Sequence, residues 1–313
     1  MNDTPAPIQA RQSAVDLCLP FEIEGADVRG QAVRLHGSID QVLKQHQYPA
    51  PVSVFVGEIL ALTVMLGVSL KFDGRLSLQT KSDGPVSMVV ADFFAPGMVR
   101  AYARFDEDKV KAVTEAAKGE RFSVPLLLGK GQFTMVIDQG ADMELYQSIV
   151  SLEGDTVAEC TRTCFQQSDQ IATSFKVAVS EVFTSEGQSW SAGAIMIQHL
   201  PKPGEGKKES GDTPEEIWNR VNILMATTQD HELTDPSLSS EDLLFRLFNE
   251  DGVRAFEPST IGPGCTCGEE KVRGVLNGFD PAERADMAVD GKIEVTCEFC
   301  NAVYGFDPDE FGV

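Results

Sequence analysis

The sequence predicts an α+β protein built from one large unit and one small one. Three observations carry this. Strand-like and helix-like runs intermix over the first two hundred residues without a repeat, the largely apolar stretch Val52–Leu70 has Glu58 as its only charge, and four cysteines gather within the last fifty residues. At 313 residues the chain exceeds an average domain, so a sizeable core with a smaller appended lobe is expected.

Taken in order, Val28–Leu35 reads as a strand. Ser38 is the expected N-cap of a short helix running to about Gln45, and Tyr48-Pro49-Ala50-Pro51 stops it. Val52–Leu70 follows as a long helix with no polar face, the pattern of a helix buried on all sides. Its length would satisfy a membrane span, but Glu58 sits in its first half, Pro51 stands at its start and no topology signal flanks it, so a buried core helix is expected. Asp73-Gly74 leads to alternation at Leu76, Leu78 and Thr80, Asp83-Gly84-Pro85 turns the chain into Met88–Phe93, and Val99–Phe105 makes a third strand. Together these predict an antiparallel meander against the long helix. Asp106–Ala117 reads as an exposed helix, Phe133–Ile137 and Leu145–Leu152 as strands, Asp155–Gln167 as a helix, and Phe175–Val179 and Ala194–Gln198 as strands. This first unit covers residues 1–201.

Residues 202–252 read as a linker, flexible and then helical. Pro201–Gly211 is polar, Gly-rich and Pro-containing. Thr213, with Pro214 behind it and Glu216 three residues on, forms a capping box ahead of Ile217, Val221 and Leu224 on one face. A second short helix carries Leu243, Leu244, Leu247 and Phe248 and ends before Gly252. Neither is long enough to persist alone, so both apolar faces must lie on another surface.

The last unit, residues 253–313, is near the size at which a hydrophobic core alone is marginal. It holds Cys265-Thr266-Cys267 and, after 29 intervening residues, Cys297-Glu298-Phe299-Cys300. Two close pairs that fold back on one another suit a tetrahedral Zn²⁺ site, which makes Cys265, Cys267, Cys297 and Cys300 candidate ligands for one ion per chain. The CxC half also permits a small strained disulfide of readily reversed potential. The motif therefore reads as a switch as well as a staple, while a plain structural zinc ribbon is the simpler reading of the same spacing.

Charge narrows the function further. The net −22 argues against nucleic-acid binding, which needs clustered Lys and Arg, and residues 211–313 alone carry −15. Met1–Pro20 lacks a basic start followed by an apolar run, so a cytoplasmic location is expected, where paired thiols point to metal or redox chemistry. No Gly-rich phosphate loop and no GxSxG elbow is present, so neither nucleotide use nor a serine nucleophile is expected.

The cysteine pairs, the following Asn301–Phe306 with Tyr304, and the run Leu238–Phe248 resemble the redox-regulated chaperone family known as the heat-shock protein of 33 kilodaltons. Tyr48-Pro49-Ala50-Pro51-Val52, Leu70-Lys71-Phe72-Asp73-Gly74, Asp83-Gly84-Pro85 and Leu152-Glu153-Gly154-Asp155 are similar to that family's segments in the same order, so the likeness runs from about Asp27 to Phe306. The resemblance implies an ATP-independent holdase that is zinc-bound and inactive when reduced. It implies activation by disulfides Cys265 to Cys267 and Cys297 to Cys300, loss of zinc, unfolding of the linker, and binding of unfolding client proteins, commonly as a homodimer. The chain departs from the family at Gly262-Pro263-Gly264, a more flexible entry to the first cysteine, and at Gly268, where a Ser is common.

Other residues invite plainer readings. Cys160 and Cys164 share a helix face and read as buried small hydrophobes, with a second redox pair as the alternative, and Cys18 reads as an incidental thiol near a mobile end. His36, His46, His199 and His231 are scattered and read as surface or core residues. Phe93, Phe94 and Met98 suit a client surface, a core or a dimer contact. Two rival functions stand beside the chaperone: a zinc-ribbon adaptor, and a thiol oxidoreductase using Cys297 and Cys300.

Overall fold

A computed structural model describes residues 15–24, 26–70, 73–117, 122–140, 143–168, 171–184, 187–200 and 213–311. The expected flexible stretch Pro201–Gly211 lies outside them. Strands β1 (Leu17–Ile23) and β2 (Val28–Leu35) lead into helices α1 (Gly37–His46) and α2 (Ala50–Ser69). Strands β3 (Arg75–Ser82), β4 (Val86–Phe94) and β5 (Met98–Phe105) form the expected antiparallel meander. After α3 (Glu107–Ala117) and the one-turn α4 (Val124–Leu127) come β6 (Gly131–Asp138), β7 (Tyr146–Ser151) and α5 (Val157–Ser168). A long hairpin follows, β8 (Thr173–Thr184) with β9 (Gly187–His199), then α6 (Pro214–Ala226), α7 (Asp230–Thr234) and α8 (Ser240–Phe248). Three short strands, β10 (Val253–Ala255), β11 (Ser259–Thr260) and β12 (Gly262–Pro263), precede α9 (Glu269–Leu276), α10 (Pro281–Met287), β13 (Ile293–Thr296) and β14 (Val303–Phe306).

The α+β class is as expected, and its organising element is α2. One sheet runs β10-β1-β2-β9-β8 with β11 also on β1, and the other runs β12-β5-β4-β3-β6-β7. Helix α2 packs against strands of both, so its apolar surface is covered on all sides, with Phe55, Ile59, Leu60 and Met65 at the centre of the shared core. Gly67 allows the close approach: a Cβ there would stand 2.3 Å from the Phe93 ring.

The outer face of the first sheet carries the linker helices. Leu19, Phe21, Ile23, Ile195 and Ile197 point to that side and meet Ile217 and Val221 of α6, Leu233 of α7, and Leu243, Leu247 and Phe248 of α8. The expected capping box at Thr213 and Glu216 is formed. Helix α7 is clasped by Arg34, whose guanidinium donates to the carbonyls of Glu232, Leu233 and Asp235 at 2.8, 3.0 and 2.9 Å. Gly193 lets β9 lie flush with it, since a Cβ there would stand 2.0 Å from the Leu233 oxygen.

Three expectations need correction. Cys18 is not at a loose end: it is fully buried in β1, a strand the sequence pattern hides because Pro20 interrupts it. Pro20 falls where the outer neighbours of β1 change, between the β10 pairing at Phe21–Ile23 and the β11 pairing at Leu17–Cys18. Ser38 is not the cap of α1. The Asp16 carboxylate accepts from the backbone N–H groups of His36, Gly37 and Ser38 instead. The strands expected at Phe175–Val179 and Ala194–Gln198 are the inner parts of 12- and 13-residue strands.

Candidate metal centre

Each cysteine turn is shaped by local backbone chemistry. Gly262 and Pro263 pair in parallel with Met98 and Val99 of β5, and the Gly264 N–H donates to the Val99 carbonyl, which delivers Cys265 to the edge of the second sheet. The second turn closes the β13–β14 hairpin. There the Cys297 N–H donates to Ala302 O and the Asn301 N–H to Cys297 O, each at 2.9 Å, and Asn301 adopts φ 56°, a left-handed conformation that Asn tolerates.

Folding back brings all four expected residues together. Cys265 Sγ lies 3.7 Å from Cys297 Sγ, Cys267 Sγ lies 3.4 Å from Cys300 Sγ, and all four sulfurs fall within 4.8 Å of one another. They are free, half-buried thiols. Tetrahedral zinc with Zn–S bonds of about 2.3 Å places its sulfurs ~3.8 Å apart, so the donor set fits one such ion. Burial and mutual proximity also shift the sulfurs' protonation. Burial pushes Cys300 up to about 12, its neighbouring sulfurs adding to the rise, and burial also raises Cys297. At Cys265 burial acts in the same upward sense, yet hydrogen bonds from the Cys267 N–H and the neighbouring thiols outweigh it and bring it to about 7. Four thiolates this close require a cation among them. The Tyr304 hydroxyl donates to Cys267 Sγ at 3.1 Å.

The lobe is fastened to the main body through the same turns. Arg104 of β5 donates twice to the Glu298 carboxylate, His46 Nε2 lies 3.1 Å from Phe299 O, and Asn301 Nδ2 donates to Gln45 O at 2.6 Å. Phe299 meets Tyr102 edge-on, with ring centroids 4.7 Å apart. Arg100 reaches the first turn, donating to Thr266 Oγ1 at 2.9 Å. Sequence reasoning missed Arg100, Arg104 and Gln45, because no local pattern marks a strand or helix residue that touches a turn so distant in sequence.

The remaining candidates stand apart. Cys160 is buried, donates to Glu153 O at 3.4 Å and is pushed up to about 11 chiefly by burial, as a small core residue would be. The side chain of Cys164 lies outside the described residues. Among the described residues no histidine joins the four thiols; His199 stacks on Trp218 and His36 Nδ1 lies 2.9 Å from Ser191 Oγ. Phe93 belongs to the core, while Phe94 and Met98 are only partly covered. Cys297 follows strand β13 directly and opens a turn, whereas the attacking cysteine of a thioredoxin-like enzyme opens a helix.

Two sheets closed on one buried helix, three helices laid on the outside of one sheet, and a terminal lobe gathered round four thiols define a class of cysteine-centred two-sheet proteins. The chain belongs to the Hsp33 family, whose model, described as Hsp33 protein, matches residues 16–307. The 33 kDa chaperonin of Caulobacter vibrioides (strain NA1000 / CB15N) is 43% identical over 294 residues, covering 94% of this chain and 95% of that one. Its counterpart from Shewanella denitrificans is 35% identical over 295 residues, covering 93% and 92%. Among solved structures, the 33 kDa chaperonin (heat shock protein 33 homolog) of Thermotoga maritima matches with a TM-score of 0.76 at 23% identity, covering 96% of this chain and 97% of that one. That likeness is one of fold.

Proposed function

We propose that this chain is a redox-regulated, ATP-independent holdase of the cytoplasmic stress response, not an enzyme, which binds unfolding proteins and keeps them from aggregating. The observation that carries this reading is the four-thiol cluster, set in a lobe with little core of its own and fastened to the main sheets. Family membership and the chaperonin names of the relatives support the same class. The functional division is residues 1–201 as the client-holding body, 202–252 as the regulating linker and 253–313 as the switch. Within the last, Val253–Pro263 serves as a strap, because β10 and β11 pair with β1 and β12 pairs with β5.

In the reduced state Cys265, Cys267, Cys297 and Cys300 would hold one Zn²⁺. When bound, the ion supplies a closed tetrahedral site, which contributes an apparent ~10–16 kcal/mol to the folding of small domains. Oxidation by a peroxide joins Cys265 to Cys267 and Cys297 to Cys300. With hydrogen peroxide as the oxidant, each pair of thiolates gives up two electrons as its S–S bond forms, and those electrons cleave the O–O bond, whose two oxygens take up two protons and leave as two waters. The sulfurs then no longer form a four-thiolate set, the turns part, and the lobe loses its main support. The strap loses its anchor next, and α8, which packs on β10, loosens with it. The apolar faces of α6 and α8 and the sheet surface under them, with Leu19, Phe21, Ile195 and Ile197, become the client surface, and two opened copies pair as a homodimer. The charge of −15 on residues 211–313 favours the opened state by self-repulsion and keeps client complexes soluble.

The test follows zinc with a metal-sensitive dye during peroxide treatment, alongside light scattering of a thermally aggregating protein. Release of about one zinc per chain together with suppressed aggregation is expected. Retained zinc without suppression would leave a structural adaptor, and turnover of a small disulfide substrate would make the chain an oxidoreductase.

A further inference from the structure

One guanidinium from the main body touches both cysteine turns. Arg100 on β5 stands opposite Asp92 on β4; its Nε donates to an Asp92 carboxylate oxygen at 2.8 Å, and Nη2 lies 2.7 Å from the same oxygen. The pair is enclosed, with the Arg100 side chain 11% exposed and that of Asp92 2%. The remaining nitrogen, Nη1, donates to Thr266 Oγ1 at 2.9 Å and lies 3.8 Å from Cys265 Sγ. The guanidinium carbon stands 3.8 Å from the Phe299 ring centroid and 5.0 Å from that of Phe94. Thr266 is the middle residue of Cys265-x-Cys267, and Phe299 lies inside Cys297-x-x-Cys300.

We propose that Arg100 is a positioning residue that sets the redox threshold of the thiol cluster, an inference that rests on the redox reading above. Four thiolates around one divalent cation carry a net negative charge, and two disulfides carry none. A cation held beside Cys265 therefore attracts the reduced form more strongly than the oxidised one, and its enclosure weakens solvent screening. Arg100 takes no part in the electron balance, which runs from the cysteine pairs to the peroxide. Asp92 moderates its effect by neutralising part of the charge. The plane and fork of the guanidinium also knit the turns together, through Phe299 on its face and Thr266 at its edge, a geometry that lysine cannot reproduce.

The test uses the full-length, zinc-loaded chain and its Arg100→Gln, Arg100→Lys and Asp92→Asn variants, each first shown by far-ultraviolet circular dichroism to fold. Two quantities are read: the midpoint of thiol oxidation in glutathione buffers, by mass after alkylation, and the rate of zinc release at fixed peroxide. Arg100→Gln is expected to release zinc about fivefold faster, the worth of one charge-assisted contact, and to oxidise in a more reducing buffer. Asp92→Asn is expected to shift both readouts the opposite way, and Arg100→Lys to recover part of the loss. Equal behaviour of Arg100→Gln and wild type would overturn the proposal, as would Arg100→Gln and Asp92→Asn both accelerating release, the mark of a pair that merely braces the sheet. If Asp92→Asn does not fold, the lysine variant decides, since no recovery would remove the charge account. Wild type that keeps its zinc and thiols in peroxide would overturn the redox reading and this inference together, whereas oxidation of wild type with an unchanged glutamine variant overturns this inference alone.

Discussion

The main body and the C-terminal lobe reach a folded state by different means. In the body, both sheets close on α2, and a continuous set of buried side chains runs from Val33 and Phe55 through Leu78 and Phe93 to Ile261. In the lobe the buried apolar residues are Leu276, Ile293, Phe306 and Phe311, with a few partly covered neighbours. The body has an extensive buried core of its own, while the lobe has a small one beside its four thiols, so the proposed zinc site would supply much of the lobe's stability. A region whose folding would hang on a bound ion suits the switch role proposed for it.

The sharpest way to break this contrast is to remove the proposed metal site. Replacing Cys297 and Cys300 together with serine should cost the lobe about 10 kcal/mol or more of apparent folding energy. Hydrogen exchange should then show α9 to β14 unprotected while α2 keeps its protection, and a lobe that stayed protected would show that its four-residue core suffices. The converse cut is Leu60→Ala, at a fully buried position of α2. It should destabilise the body by about 2–5 kcal/mol in denaturant unfolding and leave zinc affinity unchanged.

Between the two regions lies the linker, and Arg34→Met tests its clasp. Losing the fork orphans the carbonyls at the end of α7 and should cost about 1–3 kcal/mol. Exchange in α7 should quicken with the metal still bound. The smallest effect expected is from pH. Burial holds the His36 imidazole below its usual range, although the carboxylates of Asp16 and Asp235 pull the other way. The unfolded chain then binds the extra proton first, so this contribution to stability is complete above an unfolded pKa of about 6.5 and is lost as pH falls from that value through the lower folded-state one. Urea midpoints should drop between pH 8 and pH 5.5, and His36→Asn should reduce the drop.

The parts of this structure that were legible in sequence are those whose signal is local. Helix α2 announced itself by an apolar run, the β3–β5 meander by alternation and turn residues, and the thiol site by cysteine spacing. Strand β1 was hidden by Pro20, and the hairpin β8–β9 was cut short because a strand buried on both faces, as in Ser191–Ile197, shows no alternation. Arg100 was invisible for another reason. Its meaning depends on Cys265, 165 residues away, and only tertiary folding puts them together.

The strap has one more consequence. While β10 and β11 lie on β1 and β12 lies on β5, they occupy the border of each sheet. The proposed opening would leave bare rows of backbone donors and acceptors beside the uncovered apolar faces. Such a border pairs with any extended chain through its peptide groups, whatever its side chains. The same departure would therefore prepare the protein for clients with no sequence in common, whose shared property is backbone that has lost its own partners.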